Sequence, residues 1–371
     1  MQSLPIFICF FFFNDHNWLG GGVKCRIFMK IQLIHSYNDV ISLENFLEAW
    51  KEFVVGKKNK KDVQEFSIHL MDNIFSLHSE LVNHAYTHGG YQAFKINDPK
   101  PRDIHKATVR DRLLHRAIYR ILYPFFDKIF ISDSYSCRIK KGTYKAINKF
   151  RSYFYKVSKN NTKTCWILEC DIRKFFANID HVILTSILRE YIPDKNIIKL
   201  LKNVIGSFPS EQYKKVGLPL GNLTSQLFVN IYMNKFDQFV KHKLKVKDYI
   251  RYADDFVIFS EDKAYLKKQI FGIDQFFKNE LKLELHPDKI YIKTVSSGVD
   301  FLGMVNFPDH RILRTKTKKR MLAKISSKYE LLQKELISEK SFYQSLESYK
   351  GILQHCNGYG IARKIKQITN F

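Results

Sequence analysis

The feature that most constrains this fold is a pair of adjacent carboxylates, Asp254 and Asp255, inside an otherwise apolar stretch. The stretch reads Tyr249-Ile250-Arg251-Tyr252-Ala253-Asp254-Asp255-Phe256-Val257-Ile258-Phe259. The short apolar runs on either side predict two strands that meet at the acidic pair. Neighbouring carboxylates that lose hydration repel each other, so this position requires a metal ion or a basic partner.

The acidic pair alone leaves a second interpretation open. Asp is common in tight turns because its side chain bonds the nearby backbone, and a short motif often matches by chance. The pair is therefore either a plain hairpin turn or one half of a cation site. Other parts of the sequence are needed to distinguish the hairpin turn from the cation site.

The charge balance narrows the class of partner. The 371 residues carry 61 Lys and Arg against 36 Asp and Glu, a formal net charge of +25. This excess favours a polyanionic partner, with nucleic acid ahead of an anionic membrane surface. The length and the hydrophobic content of 45% predict a folded chain of two or three packed lobes.

The cysteines and the amino terminus bear on the compartment. The six cysteines include no C-x-x-C pair and no zinc-type spacing, which predicts reduced thiols in a cytoplasmic protein without a membrane partner. The apolar segment 4–13 is too short for a membrane helix and lacks the features of a signal peptide. A charge-balanced pattern begins near Met29, so we expect residues 1–28 to be a non-native or disordered extension.

Periodicity predicts an α+β fold in which helices cover one face of a sheet. Helices are expected over 42–81, interrupted by a lysine-rich stretch, 56–62, that is either a solvated loop or a phosphate contact. A turn is expected at 97–102 and a capped helix from Thr108. The remaining expected elements are a strand at 164–170, helices at 181–192, 222–245 and 262–280, strands at 283–293 and 299–306, and two helical stretches after Thr315.

A third carboxylate strengthens the cation reading. Asp171 ends the predicted strand 164–170, about eighty residues before the acidic pair. Three carboxylates delivered by adjacent strands suit hard divalent ions such as Mg²⁺, which prefer oxygen ligands. We therefore expect Asp171, Asp254 and Asp255 to form one site.

At this point the chain resembles the reverse transcriptases, in order over residues 42–371. Asp171 with an aromatic residue five positions later matches motif A of that family, 217–226 matches motif B, and 252–255 matches motif C. Residues 283–289 and 298–303 are similar to motifs D and E. The resemblance implies a right-hand polymerase with N-terminal helices and fingers at 29–163, a palm with part of the fingers at 164–306, and a thumb at 307–371.

The resemblance also implies the chemistry. Asp171, Asp254 and Asp255 would be catalytic and, with Ile172, would hold two Mg²⁺ ions, with Mn²⁺ as an alternative. The reaction would be RNA-directed DNA synthesis from dNTPs on a template RNA with a DNA or RNA primer. The rival from another class is a catalytically inactive, basic RNA-binding scaffold, which has no need of three carboxylates.

Further residues acquire roles from the same resemblance. Phe176 would lie under the sugar of the incoming nucleotide and exclude a 2′-hydroxyl, although Phe175 and Phe176 are equally typical of a core. Lys289 would protonate the pyrophosphate, or is one more exposed lysine. The other expected nucleotide-binding residues are Arg138, Lys140, Lys141, Phe175, Gly221 and Gln226, and the expected primer grip is Phe301, Leu302 and Gly303.

Motif B indicates a subgroup. The form Leu220-Gly221-Asn222-Leu223-Thr224-Ser225-Gln226 is similar to that of diversity-generating retroelements, whose enzymes copy RNA with errors at adenine. Group II intron enzymes generally have Gln-Gly-x-x-x-Ser-Pro instead. This form implies an error-prone enzyme, with a small basic accessory protein as a partner and no maturase-like or endonuclease segment after the thumb. Phage-defence and retron reverse transcriptases are the alternatives.

Overall fold

Helices and antiparallel strands alternate along the chain in the computed structural model, which describes residues 31–97, 101–208 and 215–369. The expected extension, 1–28, lies outside these residues. None of the helices within the described ranges combines the length and the apolar character needed to cross a membrane. The predicted α+β class is confirmed.

Four short helices begin the described chain: α1 (Tyr37–Ile41), α2 (Leu43–Phe53), α3 (Lys61–Ile68) and α4 (Leu70–Val82). The lysine-rich stretch 56–62 contains the turn between α2 and α3, and α3 begins inside it. Apolar side chains of α2 such as Phe46 and Ala49 are fully buried, as the helical spacing predicts.

A β-hairpin that periodicity did not predict follows these helices. Strands β1 (Tyr91–Ile96) and β2 (Arg102–Ala107) pair antiparallel, and the predicted turn 97–102 falls between them, with its residues 98–100 outside the described ranges. The hairpin was missed because most of its side chains are exposed, so no apolar alternation marks the strands. Next comes α5 (Val109–Ile129), which begins where Thr108 accepts a hydrogen bond from the Asp111 amide, and this predicted start is confirmed.

A four-stranded antiparallel sheet forms the centre of the fold. After α6 (Thr143–Val157) the chain enters β3 (Trp166–Cys170), passes through α7 (His181–Tyr191), α8 (Lys195–Gly206) and α9 (Leu223–Gln238), and returns as β4 (Tyr249–Tyr252) and β5 (Asp255–Ser260). Then come α10 (Lys263–Phe276) and β6 (Tyr291–Thr294). The strand order is β4-β5-β3-β6, so the strand that leads into Asp171 lies beside the strand that starts at Asp255.

Helices pack against both faces of this sheet. On one face, Phe236 of α9 packs on Phe256 at a ring separation of 5.0 Å, and α10 also contacts the sheet. On the other face, Phe150 of α6 packs edge-on against Phe259 at 4.9 Å. Asp171 and Asp255 point to this second face, because side chains alternate along each strand.

A small sheet and a helical bundle end the described chain. Strands β7 (Val299–Phe301), β8 (Met304–Asn306) and β9 (Arg311–Leu313) pair in sequence order. Three helices follow, α11 (Thr315–Gln333), α12 (Glu339–Leu353) and α13 (Tyr359–Thr369), where two helical stretches were expected. They share a separate core that includes Met321, Phe342 and Ile361. An added Cβ at Gly358 would lie 2.9 Å from the Leu353 Cβ, so the tight turn between α12 and α13 depends on glycine.

Candidate active site

The three predicted carboxylates come together at one edge of the central sheet. Cys170 pairs with Phe256 across β3 and β5, so Asp171 lies opposite Asp255, close enough to raise the pKa of the Asp255 carboxyl group. Asp254 occupies the two-residue turn between β4 and β5. Antiparallel pairing therefore unites side chains that are about eighty residues apart in the chain.

The turn that carries the acidic pair has an unusual backbone. Ala253 has φ of 57°, in the left-handed region that residues with a Cβ avoid. Arg251 stabilises the turn, because its Nη1 donates a hydrogen bond of 3.1 Å to the Ala253 carbonyl oxygen. Backbone strain of this kind persists only where the surroundings enforce it, and it concentrates at functional sites.

Arg251 is itself fully buried. Its Nε and Nη2 donate to the two carboxylate oxygens of Asp237 at 2.8 and 2.7 Å, and Nη2 also donates to Ser134 Oγ at 3.0 Å. The Tyr249 hydroxyl donates to the same carboxylate at 2.8 Å. Sequence reasoning missed this group, although an arginine inside an apolar strand is a detectable signal because buried charges require a partner.

The end of the sheet where Asp171, Asp254 and Asp255 meet, here called the acidic edge, has too little positive charge to balance these carboxylates. Burial, then the charge of Asp254 and the hydrogen bond and charge of Asp171, raise the pKa of Asp255 to about 8. Burial is also the main cause that raises the pKa of Asp254. A cation at this edge would relieve the repulsion and favour the ionised form of both groups.

Lys289 provides part of the missing charge. Its Nζ lies 2.8 Å from Asp171 Oδ2, and the His286 amide donates to the Asp171 carbonyl oxygen at 2.8 Å. Burial is the largest single effect on Lys289 and would lower its pKa, but the hydrogen bond to Asp171 and the charges of the three carboxylates together raise the pKa. The predicted lysine therefore lies beside the carboxylates rather than on a remote surface.

The donor set fits a divalent cation by its chemistry. Hard ions such as Mg²⁺ take carboxylate oxygens as ligands, and three carboxylates converge here. Within the described ranges, no group of three or more His, Cys, Asp or Glu side chains is arranged so that it could hold a metal ion as it stands. Lys289 holds one oxygen of Asp171, so ion binding at that oxygen requires the lysine to move aside.

Glu169 is a further acidic residue that sequence reasoning did not identify. It lies two positions before Asp171, on the same face of β3. Burial, followed by the charge of Asp300, raises its pKa to about 7. The spacing of two residues from Asp171 could have identified Glu169, because alternate residues of a strand lie on the same face.

The two predicted phenylalanines differ in environment. Both lie in a 3₁₀ turn, Phe175–Asn178, rather than on a strand. Phe175 is 3% exposed and belongs to the core, whereas Phe176 is half-buried. The Phe176 carbonyl oxygen accepts a hydrogen bond of 2.8 Å from the Leu218 amide, which joins motif A to the start of motif B.

The motif B loop is held by the β1–β2 hairpin. The His105 amide donates to the Leu220 carbonyl oxygen at 3.1 Å, and Asn222 Nδ2 donates to the His105 carbonyl oxygen at 2.9 Å. Gly221 has φ of 103°, and a Cβ there would lie 2.8 Å from Ile104 Cγ2. The close approach at Gly221 is therefore to the hairpin, while Gln226 lies half-buried in the first turn of α9.

The same hairpin brings Arg102 within electrostatic range of the site, where its charge acts to lower the pKa of Asp254. Arg102 is a functional candidate that sequence reasoning missed. Arg102 was assigned to the predicted turn 97–102. Because strand β2 was not predicted, nothing in the sequence indicated that its charge lies near the carboxylates. The β1–β2 hairpin thus places the positive charge of Arg102 near the acidic edge.

The three basic residues expected to bind the triphosphate are not equivalent. The Arg138 side chain is 5% exposed and pairs with Asp127 at 2.7 Å, and it also donates to the carbonyl oxygens of Asp127, Ile131 and Ser134. These contacts are structural, so a phosphate would have to displace them. Lys141 donates to the Ser132 carbonyl oxygen at 2.7 Å.

Lys140, the remaining member of that group, is exposed and has φ of 61°. The expected primer grip is divided in a similar way. Phe301 is 2% exposed and stacks on Phe150 at 5.4 Å, so it supports the turn from inside the core. Leu302 and Gly303 form the two-residue turn between β7 and β8, with φ of 53° and 85°.

Comparisons with known proteins agree with this arrangement. A family model described as "Reverse transcriptase (RNA-dependent DNA polymerase)" matches residues 95–305. The group II intron-encoded protein LtrA of Lactococcus lactis subsp. cremoris is 26% identical over 295 residues, which cover 61% of this chain and 47% of that protein. Protein YkfC of Escherichia coli strain K12 is 26% identical over 258 residues, which cover 59% of this chain and 65% of YkfC.

The chain thus spans between about half and two thirds of the length of these relatives. A solved structure of telomerase from Candida albicans with the TWJ fragment of telomeric RNA is 12% identical, with a TM-score of 0.46, and covers 78% of this chain and 61% of its own chain.

Proposed function

The chain belongs to the reverse transcriptase (RNA-dependent DNA polymerase) family, and we propose that it synthesises DNA on an RNA template. The convergence of Asp171, Asp254 and Asp255 on one edge of the sheet is the observation that carries this proposal. Family membership implies divalent metal in general. We propose two Mg²⁺ ions, with Mn²⁺ as an alternative, held by these carboxylates together with Ile172.

Two such ions, when bound, would activate the primer 3′-hydroxyl and neutralise the triphosphate. The chain's own residues would hold the carboxylates together at this end of the sheet. Arg251 would hold the turn of the acidic pair through the Ala253 carbonyl oxygen. Lys289, now bonded to Asp171, would turn to the pyrophosphate as ions and nucleotide bind and would supply a proton to it.

The nucleotide would lie between the acidic edge and the β1–β2 hairpin. Arg102 is the preferred candidate for the triphosphate, because its charge already acts on Asp254 and an arginine can bind phosphate through two N–H groups. Lys140, which is exposed, is a second candidate. The half-buried ring of Phe176 would exclude the 2′-hydroxyl of a ribonucleotide.

We propose the division into fingers, palm and thumb at the expected bounds. Residues 29–163 would form the N-terminal helices and fingers, 164–306 the palm with part of the fingers, and 307–371 the thumb. The separate core of α11, α12 and α13 supports an independent thumb. Its basic residues would follow the phosphate backbone of the template RNA and the DNA or RNA primer without reading sequence.

The finer proposal is a role in a diversity-generating retroelement with errors at adenine. Its support is the motif B form, with Ser225 and Gln226 in the first turn of α9, close to where the nascent base pair would lie. A small basic accessory protein would be a further partner. We also propose a reducing, cytoplasmic setting, which the free thiols of Cys137, Cys165, Cys170 and Cys356 support.

Primer extension on an RNA template with dNTPs and Mg²⁺ tests the main proposal. The wild type should extend the primer, and the variant Asp254→Asn/Asp255→Asn should not. Absence of synthesis by the wild type with either Mg²⁺ or Mn²⁺ would favour the RNA-binding scaffold. Sequencing of the cDNA tests the finer role, because faithful copying at adenine would favour the phage-defence or retron alternatives.

A further inference from the structure

A second basic surface lies at the end of the sheet opposite the three carboxylates. Strand β5 runs from Asp255 to Ser260, which separates its ends by about 17 Å at the rise of an antiparallel strand. We name this region the distal lysine surface. It is formed by Lys156, Lys159, Lys163, Lys241, Lys243, Lys245, Lys247 and Lys263.

Contacts between segments show that the distal lysine surface is continuous. Lys156, in the last turn of α6, pairs with Asp248 at 2.7 Å. Lys241, in the π-helical extension of α9, donates to the Lys247 carbonyl oxygen at 2.7 Å. These contacts join the carboxyl end of α6 to the segment that leads into β4.

The other half of the surface surrounds the end of β5. Lys159 and Lys163 lie on either side of Glu261, at 3.7 and 3.5 Å. The Lys263 Nζ lies 4.5 Å from the centre of the Trp166 ring. Trp166 pairs with Ser260 where β3 begins and β5 ends, at the end of the sheet opposite the carboxylates. Lysines from α6, the β3 approach and α10 therefore meet at one place.

The surface carries a clear excess of positive charge. Its eight lysines are accompanied by four carboxylates, those of Asp133, Asp248, Glu261 and Asp262, which leaves an excess of four charges. Seven of the lysines are exposed, and Lys241 is half-buried. None of the large exposed apolar side chains in the described part of the chain belongs to the surface.

A strained turn presents part of this surface. Lys159, Asn160 and Asn161 have φ of 51°, 57° and 66°, in the left-handed region where the Cβ of a residue such as lysine crowds the backbone. The Ser158 hydroxyl accepts from the Asn161 amide and the Ser158 carbonyl oxygen accepts from the Lys163 amide, both at 2.8 Å. These bonds hold the exposed residues of the turn in one geometry before any partner binds.

We propose that the distal lysine surface binds the phosphate backbone of duplex RNA outside the catalytic cleft. Ammonium groups suit phosphates as point charges. Single strands are held by exposed aromatic rings. The rings that contact these lysines are not exposed: Trp166 is half-buried under Lys263, and Tyr153 and Tyr249 are buried. A membrane surface would engage exposed apolar side chains. The preference for RNA over DNA rests on the proposed RNA template.

The test measures binding rather than synthesis. The protein is first saturated with a short unlabelled primer–template, and a labelled blunt RNA hairpin is then added and followed by fluorescence anisotropy. The variant is Lys159→Gln/Lys245→Gln/Lys247→Gln. Its matched control is Lys195→Gln/Lys199→Gln/Lys202→Gln, which neutralises three exposed lysines on α8.

Wild type and control should form the ternary complex, and the variant should bind the hairpin at least about tenfold more weakly at low salt. Its plot of log K against log salt should be less steep by about 2–3, since each phosphate contact contributes about 0.9. Extension of a short primer should be equal in all three proteins. Hairpin binding at wild-type strength by the variant would overturn the proposal.

Three other results would also overturn the proposal: no hairpin binding by wild type, an equal loss in the α8 control, or tighter lysine-dependent binding of duplex DNA or of phosphatidylserine vesicles. Failure of primer extension with hairpin binding intact would instead reject the proposed polymerase activity alone.

Discussion

Arg251 Nη1 donates a hydrogen bond of 3.1 Å to the carbonyl oxygen of Ala253, in the turn that carries the acidic pair. The same guanidinium is bound by both oxygens of the buried Asp237 carboxylate. The charge that stabilises the interior of the sheet therefore also holds the turn at its edge. Stability and catalytic geometry can be separated by replacing both partners.

Arg251→Met should lower the free energy of unfolding by about 3–5 kcal/mol, because Asp237 is left buried without its partner. The double variant Arg251→Met/Asp237→Leu should regain most of that stability. It should nevertheless remain at least about tenfold less active in primer extension, a deficit of about 1.4 kcal/mol in the barrier, because Ala253 has lost its donor. Denaturant unfolding and single-turnover rates measure the two effects, and full activity in the double variant would contradict the link.

Divalent ions should stabilise the protein more as the pH rises. The folded-state pKa of Asp255 is about 8 against an ordinary value of 3.8. Without metal its contribution to stability is fully present below pH 3.8 and is lost as the pH rises through about 8. We expect Mg²⁺ to bind the ionised form and to restore stability in that window. The Mg²⁺-dependent rise in Tm should be larger at pH 8.5 than at pH 6.

Asp254→Asn/Asp255→Asn is the control for this measurement. It should show little Mg²⁺-dependent change in Tm at either pH, because two of the three anionic ligands are gone. A shift equal to that of the wild type would assign the effect to ions bound elsewhere.

Phe176→Ala should reduce the discrimination between dNTPs and NTPs by at least about tenfold in kcat/KM, because the half-buried ring no longer meets the 2′-hydroxyl. Phe175→Ala is the matched control. It should lower the free energy of unfolding by about 3–5 kcal/mol, since a core ring is removed, and leave the discrimination unchanged. Sugar selectivity that is the same in Phe176→Ala and wild type would remove the assignment.

Arg102→Ala should raise the KM for dNTPs about tenfold or more with little loss of stability, because the Arg102 side chain is exposed and a charge-assisted phosphate contact contributes about 1.5–3 kcal/mol. Arg102→Lys should recover part of the affinity. Arg138→Ala should instead destabilise the fold, since it breaks a nearly buried ion pair with Asp127. The opposite pattern of KM and Tm changes would return the triphosphate contact to Arg138.

Much of the fold was accessible from local patterns. The strand that leads to Asp171, the cap at Thr108 and the helices before and after the central strands follow from apolar periodicity and turn chemistry. The β1–β2 hairpin was not accessible, because its residues are mostly exposed and carry no alternation. The separation of α12 from α13 was missed because it depends on the close approach of Gly358 to Leu353.

The sequence by itself determined the family and the order of its motifs, because residue type and spacing along the chain are sufficient to match them. It also identified Asp171, Asp254 and Asp255 as one acidic set. Tertiary structure alone decided which cations serve that set. The β1–β2 hairpin brings Arg102 near the carboxylates, a buried ion pair holds Arg251 beneath the turn of the acidic pair, and Lys289 comes from the segment before β6. Arg138, by contrast, is paired with Asp127. Electrostatic interactions depend on distance and burial, and neither quantity can be read from position in the chain.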